Sequence, residues 1–533
     1  MSEQIETWLR FALQQVAAES HFQGISLDSP PAVAERLVAG NTAPIPGISP
    51  SGYTRMPETL ATQFAVQNTI VAQRANDSTG FSATLIRWTN DQGGTEYTLS
   101  IRSTEFKNPN DGGDWQRDGS ADLAIINSQV HPSNTNPVFI EGQPILEIPI
   151  AGKSYDYANT HAITLLVDSL ALMTAFEKLD GSPDDTKIRK EQLTAVFAAT
   201  SAQKPLENAF RGFENAVESD SIEKALLALR YAFDANAPRT LPIDSTAGGF
   251  GNIQNREAYF AQISLLPANA AGRIMSLVEM PAGQVATLAK QDSAEGRAVR
   301  YALRELNPFA VVGGDYSASR FPNGELDIYA GIGTKGVSDA WLEARAAFLT
   351  EFLAYNTRNG DGGTGAVQGY FEDQRLGIKL GSALSGRPRT LFGSVASSTL
   401  IWFGDGDKLF GGDGADSLDA RFGDDVLAGG RGDDILDGGR GNDTYLYMPG
   451  DGKDVISDSD GNGSIRIGNV GVGGYTLGSA SLTSPNVWKD DPHNLTYTFE
   501  GTSLDRGGRL VVTGAGLGGA NNSITIEGYK QSG

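Results

Sequence analysis

Residues 402 to 446 read WFGDGDKLF, GGDGADSLD, ARFGDDVLA, GGRGDDILD and GGRGNDTYL, five consecutive segments of nine residues with no gap between them. In this register they follow the pattern G-G-x-G-x-D-x-U-x, in which U is a large apolar residue. Aspartate fills the sixth position of every segment, and an apolar residue fills the eighth. A flexible Gly/Asp-rich linker has no reason to keep this period. The pattern therefore predicts a regular, repeated structure.

Each nine-residue segment, or nonad, predicts a turn followed by a short strand. Glycine permits the positive φ angles and the close backbone approach that a tight turn needs, and the strand points its middle side chain inward. The inward residues are Leu409, Leu418, Leu427, Leu436 and Tyr445. Successive turns fall on alternate edges of a parallel β-roll, so turns that are two nonads apart stack on each other.

The sixth-position aspartates supply carboxylate oxygens, which are the ligands that Ca²⁺ prefers. Stacking pairs Asp407 with Asp425, Asp416 with Asp434, and Asp425 with Asp443, which predicts about three calcium ions. The predicted metal-site residues, turn glycines included, are Gly404, Gly406, Asp407, Gly411, Gly412, Asp413, Gly414, Asp416, Gly423, Asp425, Gly429, Gly430, Gly432, Asp434, Gly438, Gly439, Gly441 and Asp443.

This block resembles the hemolysin-type calcium-binding repeat of RTX proteins. Two nonads depart from the pattern: Asp405 replaces a glycine in the first, and Ala420-Arg421 opens the third. We expect both to bind ions poorly and the first to cap the roll. The resemblance implies export from a bacterium by the type I secretion apparatus, with folding on calcium outside the cell.

Composition agrees with an extracellular calcium binder. The chain has 533 residues with 42 Lys and Arg against 64 Asp and Glu, so its net charge is −22 and it is expected to repel nucleic acid. It contains no cysteine, which excludes disulfides and thiolate sites. The first twenty residues form an amphipathic pattern rather than a signal peptide, and no apolar stretch is long enough to predict a transmembrane segment.

The fold class predicted for the whole chain is α+β and multidomain. Residues 1–160 are expected to form a partial lipase-like α/β region, and residues 161–377 a helical domain with a connector. The calcium-binding β-roll is predicted over residues 378–463, and residues 464–533 are predicted to form a β cap with a possible secretion region. Within residues 161–377, helical spacing of apolar residues recurs at 161–179, 191–199, 206–217, 222–233, 256–265, 297–306 and 339–355.

A second resemblance concerns the N-terminal region. The strands FSATLIRW (81–88) and YTLSIRST (97–104), followed by DGGDW, are similar to the start of the lipase-like domain of RTX lipases. The resemblance implies that Thr104 is an oxyanion-hole residue and that His161 is the general base, with Asp156 or Asp168 orienting it. An ordinary strand pair and a helix-start histidine are the plain alternatives.

The catalytic interpretation lacks its nucleophile. No G-x-S-x-G elbow occurs in the sequence, and the stretch between Thr104 and His161 is short for a hydrolase sheet, so whether the chain is an enzyme stays open. The preferred hypothesis is a secreted, calcium-binding RTX protein of the lipase-like type. The alternatives are a working serine esterase or lipase with a lipid or ester substrate, and an adhesin or interaction module.

Overall fold

The computed structural model describes residues 2–20, 22–40, 55–74, 83–89, 93–101, 135–138, 146–149, 163–183, 187–200, 221–241, 253–267, 272–331, 334–360, 367, 369–381, 388–401, 404, 406–474 and 481–530. The N-terminal elements are α1 (Ser2–Ala18), α2 (Pro30–Ala39), α3 (Glu58–Gln67), β1 (Asn68–Arg74), β2 (Ala83–Thr89) and β3 (Thr95–Ile101). Strands β1, β2 and β3 form an antiparallel sheet in that order.

The predicted pairing of the two N-terminal strands is confirmed, since β2 pairs antiparallel with β3 from Ala83 opposite Ile101 to Thr89 opposite Thr95. The helical spacing of apolar residues from Leu60 to Val71 predicts one helix there, and this prediction is wrong beyond Gln67, where α3 ends. From Asn68 onward the chain is strand β1, because its β-branched residues pair with β2. Pairing with a strand farther along the sequence therefore outweighs the local helical spacing in this segment.

Further along, β4 (Thr135–Val138) and β5 (Leu146–Pro149) pair antiparallel with each other. The described strands before residue 150 thus pair only antiparallel. A hydrolase core is built on parallel strands. The predicted lipase-like region therefore stays a prediction that no described strand pair supports.

The middle of the chain is helical, as predicted. Its elements are α4 (Ile163–Leu179), α5 (Lys190–Thr200), α6 (Ser221–Phe233), α7 (Ile253–Ser264), β6 (Arg273–Ser276), α8 (Ala282–Ala289), α9 (Ala294–Glu305), β7 (Phe309–Val312) and α10 (Asp339–Gly360). Six of the seven predicted helices match a helix in this series, and the one over residues 206–217 lies outside the described residues. These helices bury their apolar faces in one large core that also includes residues of α1 to α3.

The C-terminal part contains a parallel β-roll made of two facing sheets. One sheet includes β8 (Tyr370–Asp373), β10 (Arg389–Phe392), β12 (Lys408–Asp413), β14 (Val426–Arg431), β16 (Thr444–Tyr447) and β18 (Ser464–Ile467). The other includes β11 (Thr399–Ile401), β13 (Ser417–Asp419), β15 (Ile435–Asp437) and β17 (Lys453–Ser457). The parallel strands span residues 370 to 467 and so exceed the predicted bounds of 378–463 on both sides.

The five eighth-position side chains that were predicted to face inward form the centre of the roll. They are at most 1% exposed and belong to a core separate from the helical one. Parallel pairing aligns Leu409 with Leu427 and Leu427 with Tyr445 in one sheet, and Leu418 with Leu436 in the other. The strands carry these residues because alternate side chains of a strand face opposite sides.

Helix α10 packs on the outer face of the β8-to-β18 sheet. The ring of Phe348 on α10 lies 5.2 Å from the Phe371 ring and 6.1 Å from the Phe392 ring, and Phe392 stacks on Phe410 at 5.0 Å. Arg345 of α10, 2% exposed, donates to Oδ2 of Asp373 on β8 at 2.6 Å. The helical region and the roll therefore share a packed boundary.

At its far end the roll is extended by further strands. These are β19 (Val470–Gly474), β20 (Ser481–Ser484), β21 (Val487–Asp490), β22 (Leu495–Gly501), β23 (Gly508–Thr513) and β24 (Ser523–Tyr529). At the opposite end of the roll, β9 (Ile378–Leu380) pairs antiparallel with β8. Strand β24 pairs parallel with β17, and β23, β22, β21 and β20 follow in antiparallel order. The late strands expected as a cap thus continue one sheet of the roll.

Candidate metal centre

The sixth-position aspartates form two columns, one along each edge of the roll. Asp407, Asp425 and Asp443 belong to the first column, and Asp416 and Asp434 to the second. All five are at most 2% exposed. The turn places them there because the preceding glycines let the backbone fold back sharply, and the strand that follows fixes the aspartate at its start.

A backbone hydrogen bond connects each aspartate to the one two nonads later. The N–H of Asp407 donates to Oδ1 of Asp425 at 2.6 Å, and that of Asp425 to Oδ1 of Asp443 at 3.0 Å. In the second column the N–H of Asp416 donates to Oδ1 of Asp434 at 2.7 Å. The structure thus brings together all three predicted aspartate pairs.

The second carboxylate oxygen, Oδ2, lacks a hydrogen-bond partner within the described part of the chain in four of these aspartates. Oδ2 of Asp416, Asp425, Asp434 and Asp443 is buried and has no hydrogen-bond partner among the described residues. Burial raises the pKa of Asp416 and Asp443 to about 6 and that of Asp425 and Asp434 to about 7, against an ordinary value of 3.8. Burying a carboxylate without a positive partner costs free energy. A cation bound at these oxygens would therefore stabilise the folded roll.

Glycine at the first position leaves room beside that oxygen. A Cβ on Gly411, Gly429 or Gly438 would clash with Oδ2 of the aspartate five residues later in its own nonad. At the fourth position the reason is backbone stacking: a Cβ on Gly432 would collide with the carbonyl oxygen of Gly414, its counterpart eighteen residues earlier. The glycines therefore shape both the oxygen-lined space and the contact between turns.

The third nonad keeps the turn despite its altered start. Arg421 occupies the second position with φ of +69°, where Gly412, Gly430 and Gly439 have φ between +91° and +110°. Its side chain forms an ion pair with Asp419 at 2.7 Å. A non-glycine residue in the left-handed region is uncommon, but here the stacked turns hold it, and Asp425 still joins its column.

One sequence expectation is wrong: the first nonad does not cap the roll. Strands β10 and β11 stack before it, with Leu391 and Leu400 continuing the apolar core. In these earlier turns Arg389 and Ser398 occupy the sixth position, and their N–H groups donate to Oδ1 of Asp407 and Asp416 at 2.8 and 2.5 Å. Their apolar eighth positions, with Gly393 at one first position, were the only signals, since both turns lack the sixth-position aspartate.

A calcium ion fits this site by ligand chemistry, but the side chains alone are too few. Within the described part of the chain, no point gathers three His, Cys, Asp or Glu side chains. Calcium takes six to eight oxygen ligands, backbone carbonyls among them. An ion in either column would thus combine carboxylate oxygens with carbonyl oxygens of the glycine turns.

The described residues do not test the predicted catalytic set. Thr104, Asp156 and His161 lie outside the described residues. Both carboxylate oxygens of Asp168 accept hydrogen bonds from the Arg256 guanidinium at 2.8 Å, and the pair is buried between α4 and α7. The ion pair between Asp168 and Arg256 joins α4 to α7 within the helical core. The orienting role of Asp168 toward His161 stays a prediction.

One comparison with known proteins identifies the repeat block. Residues 410–445 match the family model of the RTX calcium-binding nonapeptide repeat in four copies. No curated protein matches the chain. Among solved structures, the AlgE6R3 subunit from the Azotobacter vinelandii mannuronan C5-epimerase is 28% identical, over 26% of this chain and 73% of that one, with a TM-score of 0.17.

The repeat block is therefore an RTX calcium-binding β-roll. RTX nonapeptide repeats bind calcium, and the columns of buried carboxylates described above lie in the matched segment or directly beside it. Separately, none of the helices in the described residues is both long and apolar enough to cross a membrane.

Proposed function

We propose that this chain is a secreted RTX protein whose β-roll folds when it meets calcium outside the cell, after export by the type I secretion apparatus. One observation carries the proposal. The sixth-position carboxylates are buried in two columns, and Oδ2 of four of them has no hydrogen-bond partner in the described residues. A divalent cation between stacked turns offsets that cost.

The assigned ligand pairs are Asp407 with Asp425, Asp425 with Asp443, and Asp416 with Asp434. Calcium supplies positive charge at these points and ties each turn to the turn two nonads away. Its role is structural, since binding free energy that favours only the folded roll adds directly to the stability of the fold. The three pairs correspond to about three ions.

Export before folding is consistent with the same site. Without a cation, neighbouring aspartates raise the pKa of Asp425 beyond the effect of burial alone, so like charges oppose closure of the roll. The absence of cysteine and the net charge of −22 suit a chain that gains stability from ions instead of disulfides. RTX repeats are typical of secreted proteins, which further supports this localisation.

The test is a calcium titration of the purified chain, followed by far-UV circular dichroism and thermal melting. Calcium is expected to increase the β-sheet signal and to raise Tm. At a hundredfold excess over its Kd, each site should add about 2.7 kcal/mol to the free energy of unfolding. Excess chelator should reverse both changes, and magnesium at the same ionic strength is the control. A spectrum and Tm indifferent to calcium and chelator would refute the proposal.

The secretion step needs its own measurement. In a bacterium that carries a type I apparatus, the chain is expected in the culture medium, and a strain without the transporter ATPase should retain it. Equal amounts of the chain in the medium of both strains would contradict this route while leaving calcium-dependent folding intact.

Membership in the lipase-like type belongs to the same proposal and rests on the N-terminal sequence resemblance. It is tested with a short-chain ester, with and without calcium, in the wild type and in His161→Ala. We expect no turnover that depends on His161. Turnover abolished by His161→Ala would establish the alternative, a working serine esterase, and specific binding to cell surfaces would favour the adhesin alternative.

A further inference from the structure

A further turn of the roll has the features of a metal site. Residues 449–457 read PGDGKDVIS, which fits the nonad pattern with proline in the first position once Tyr447-Met448 is treated as a two-residue insertion. The second and fourth positions, Gly450 and Gly452, have φ of +100° and +124°. Both angles lie in the left-handed region, as in the preceding nonads.

Three hydrogen bonds show that this turn stacks as a nonad does. Gly432 donates its N–H to the carbonyl of Asp451 at 2.6 Å, Val455 to the carbonyl of Asp434 at 2.8 Å, and Asp434 to Oδ1 of Asp454 at 3.3 Å. The same three bonds join the two preceding turns of this column at 2.7, 2.9 and 2.7 Å. Asp454 therefore occupies the sixth position in space as well as in sequence.

The carboxylates of this turn pair lack positive partners. Asp434 is 0% exposed and Asp454 1%, and Oδ2 of each has no hydrogen-bond partner among the described residues. None of the salt bridges in the described part of the chain includes either aspartate. Two fully buried carboxylates in adjacent stacked turns thus meet the same conditions as the three predicted pairs.

We propose that Asp434 and Asp454 hold an additional calcium ion, beyond those of the repeat block. The inference rests on the proposed function, because it extends the second column by one site. It also makes Asp434 a shared residue, with Asp416 on one side and Asp454 on the other. The first column has no such extension: its next turn, residues 458–466, carries Gly463 at the sixth position, so it ends at Asp443.

An ion at this turn stabilises the junction between the roll and the strands that follow it. Gly450 donates its N–H to the carbonyl of Leu517 at 2.9 Å, and Ser523 at the start of β24 donates to the carbonyl of Gly452 at 3.0 Å. Both bonds depend on the backbone course of residues 449–454. Calcium at Asp454 therefore orders the place where the final strands join the roll.

The experiment counts bound calcium per chain by equilibrium dialysis and atomic emission. Relative to the wild type, Asp454→Asn is expected to lose one ion and Asp434→Asn two, because Asp434 serves two sites. The exposed Asp505→Asn is the matched control and should lose none. The proposal is overturned if Asp454→Asn retains the wild-type count and Asp434→Asn loses only one ion. A wild type without bound calcium would instead refute the proposed function itself.

The calcium count needs a folding control, because an unfolded variant would lose calcium for a reason unrelated to the proposed site. Far-UV circular dichroism in calcium should give the wild-type spectrum for each variant. If Asp454→Asn does not fold, Asp454→Ser replaces it, since Ser398 already occupies a sixth position in a folded turn of the same column. Loss of one ion in Asp454→Ser supports the site, and an unchanged count contradicts it.

Discussion

The helical region and the β-roll both bury carboxylates, but they neutralise them differently. In the helical region Asp168 is paired with Arg256, and at its boundary with the roll Asp373 is paired with Arg345. In the roll, Asp425 and Asp434 are equally buried, yet each accepts only a backbone N–H, on Oδ1. For these two pairs the sequence encodes the counter-ion, whereas the aspartate columns of the roll must take theirs from solution, so the stability of the roll depends on the medium.

The largest effect is expected from substitution of an aspartate that belongs to two ligand pairs, such as Asp425. In saturating calcium, Asp425→Asn should cost the equivalent of two sites, about 5 kcal/mol at a hundredfold excess over Kd, and Asp407→Asn about half of that. In chelator, Asp425→Asn should be neutral or stabilising, because it removes a buried charge. Urea denaturation of both variants in each condition measures the difference. Equal costs with and without calcium would contradict the comparison.

In the helical region the corresponding experiment should give a calcium-independent result. Arg256→Met leaves the Asp168 carboxylate buried without its partner, which typically costs about 3–5 kcal/mol. The loss should be the same in calcium and in chelator, as followed by urea denaturation at 222 nm. The double variant with Asp168→Asn serves as the control and should recover part of the loss. A cost that vanishes in chelator would show that the two regions are not distinct in this respect.

A smaller effect is expected from pH. Because burial raises the pKa of Asp416, Asp425, Asp434 and Asp443 to about 6 or 7, the folded roll binds more protons than the unfolded chain between pH 4 and 7. In chelator, the stability these groups give is fully present below their ordinary pKa of 3.8 and is lost as pH rises through 6 to 7. Tm should then fall by several degrees.

With saturating calcium the trend should reverse, since only the deprotonated carboxylates bind the ion. Thermal melts at half-unit steps from pH 4.5 to 7.5, in chelator and in calcium, compare the two slopes. Parallel slopes in the two conditions would show that these carboxyl groups do not bind calcium.

The sequence was sufficient for the centre of the roll and insufficient for its ends. Leu427 and Asp425 could be placed because each nonad repeats the same constraint, so a single register fixes all five turns. The turn with Asp454 was missed because Tyr447-Met448 shifts the period by two residues. The turns with Arg389 and Ser398 were missed because stacking on a neighbour, not their own residues, holds them in the roll.

Outside the roll, local sequence patterns predict the helices but not the surfaces against which the helices pack. Helix α10 was predicted from its spacing, yet nothing within it showed that Phe348 would pack on Phe371 and Phe392 of the roll. The ninth position of the nonads, however, does indicate which sheet of the roll packs against α10. It alternates between Phe410, Ala428 and Leu446 on one sheet and Asp419 and Asp437 on the other, so at this position one outer face is apolar and the other acidic.

That alternation restricts how the roll can change its length. Inserting or deleting one nonad would exchange the two sheets for every later turn, placing apolar ninth-position residues in solvent and aspartates against α10. Two nonads together restore the register and add only one strand spacing of about 4.8 Å to each sheet. Viable variants that gain or lose nonads should therefore do so in even numbers, a parity rule imposed by a helix outside the repeats.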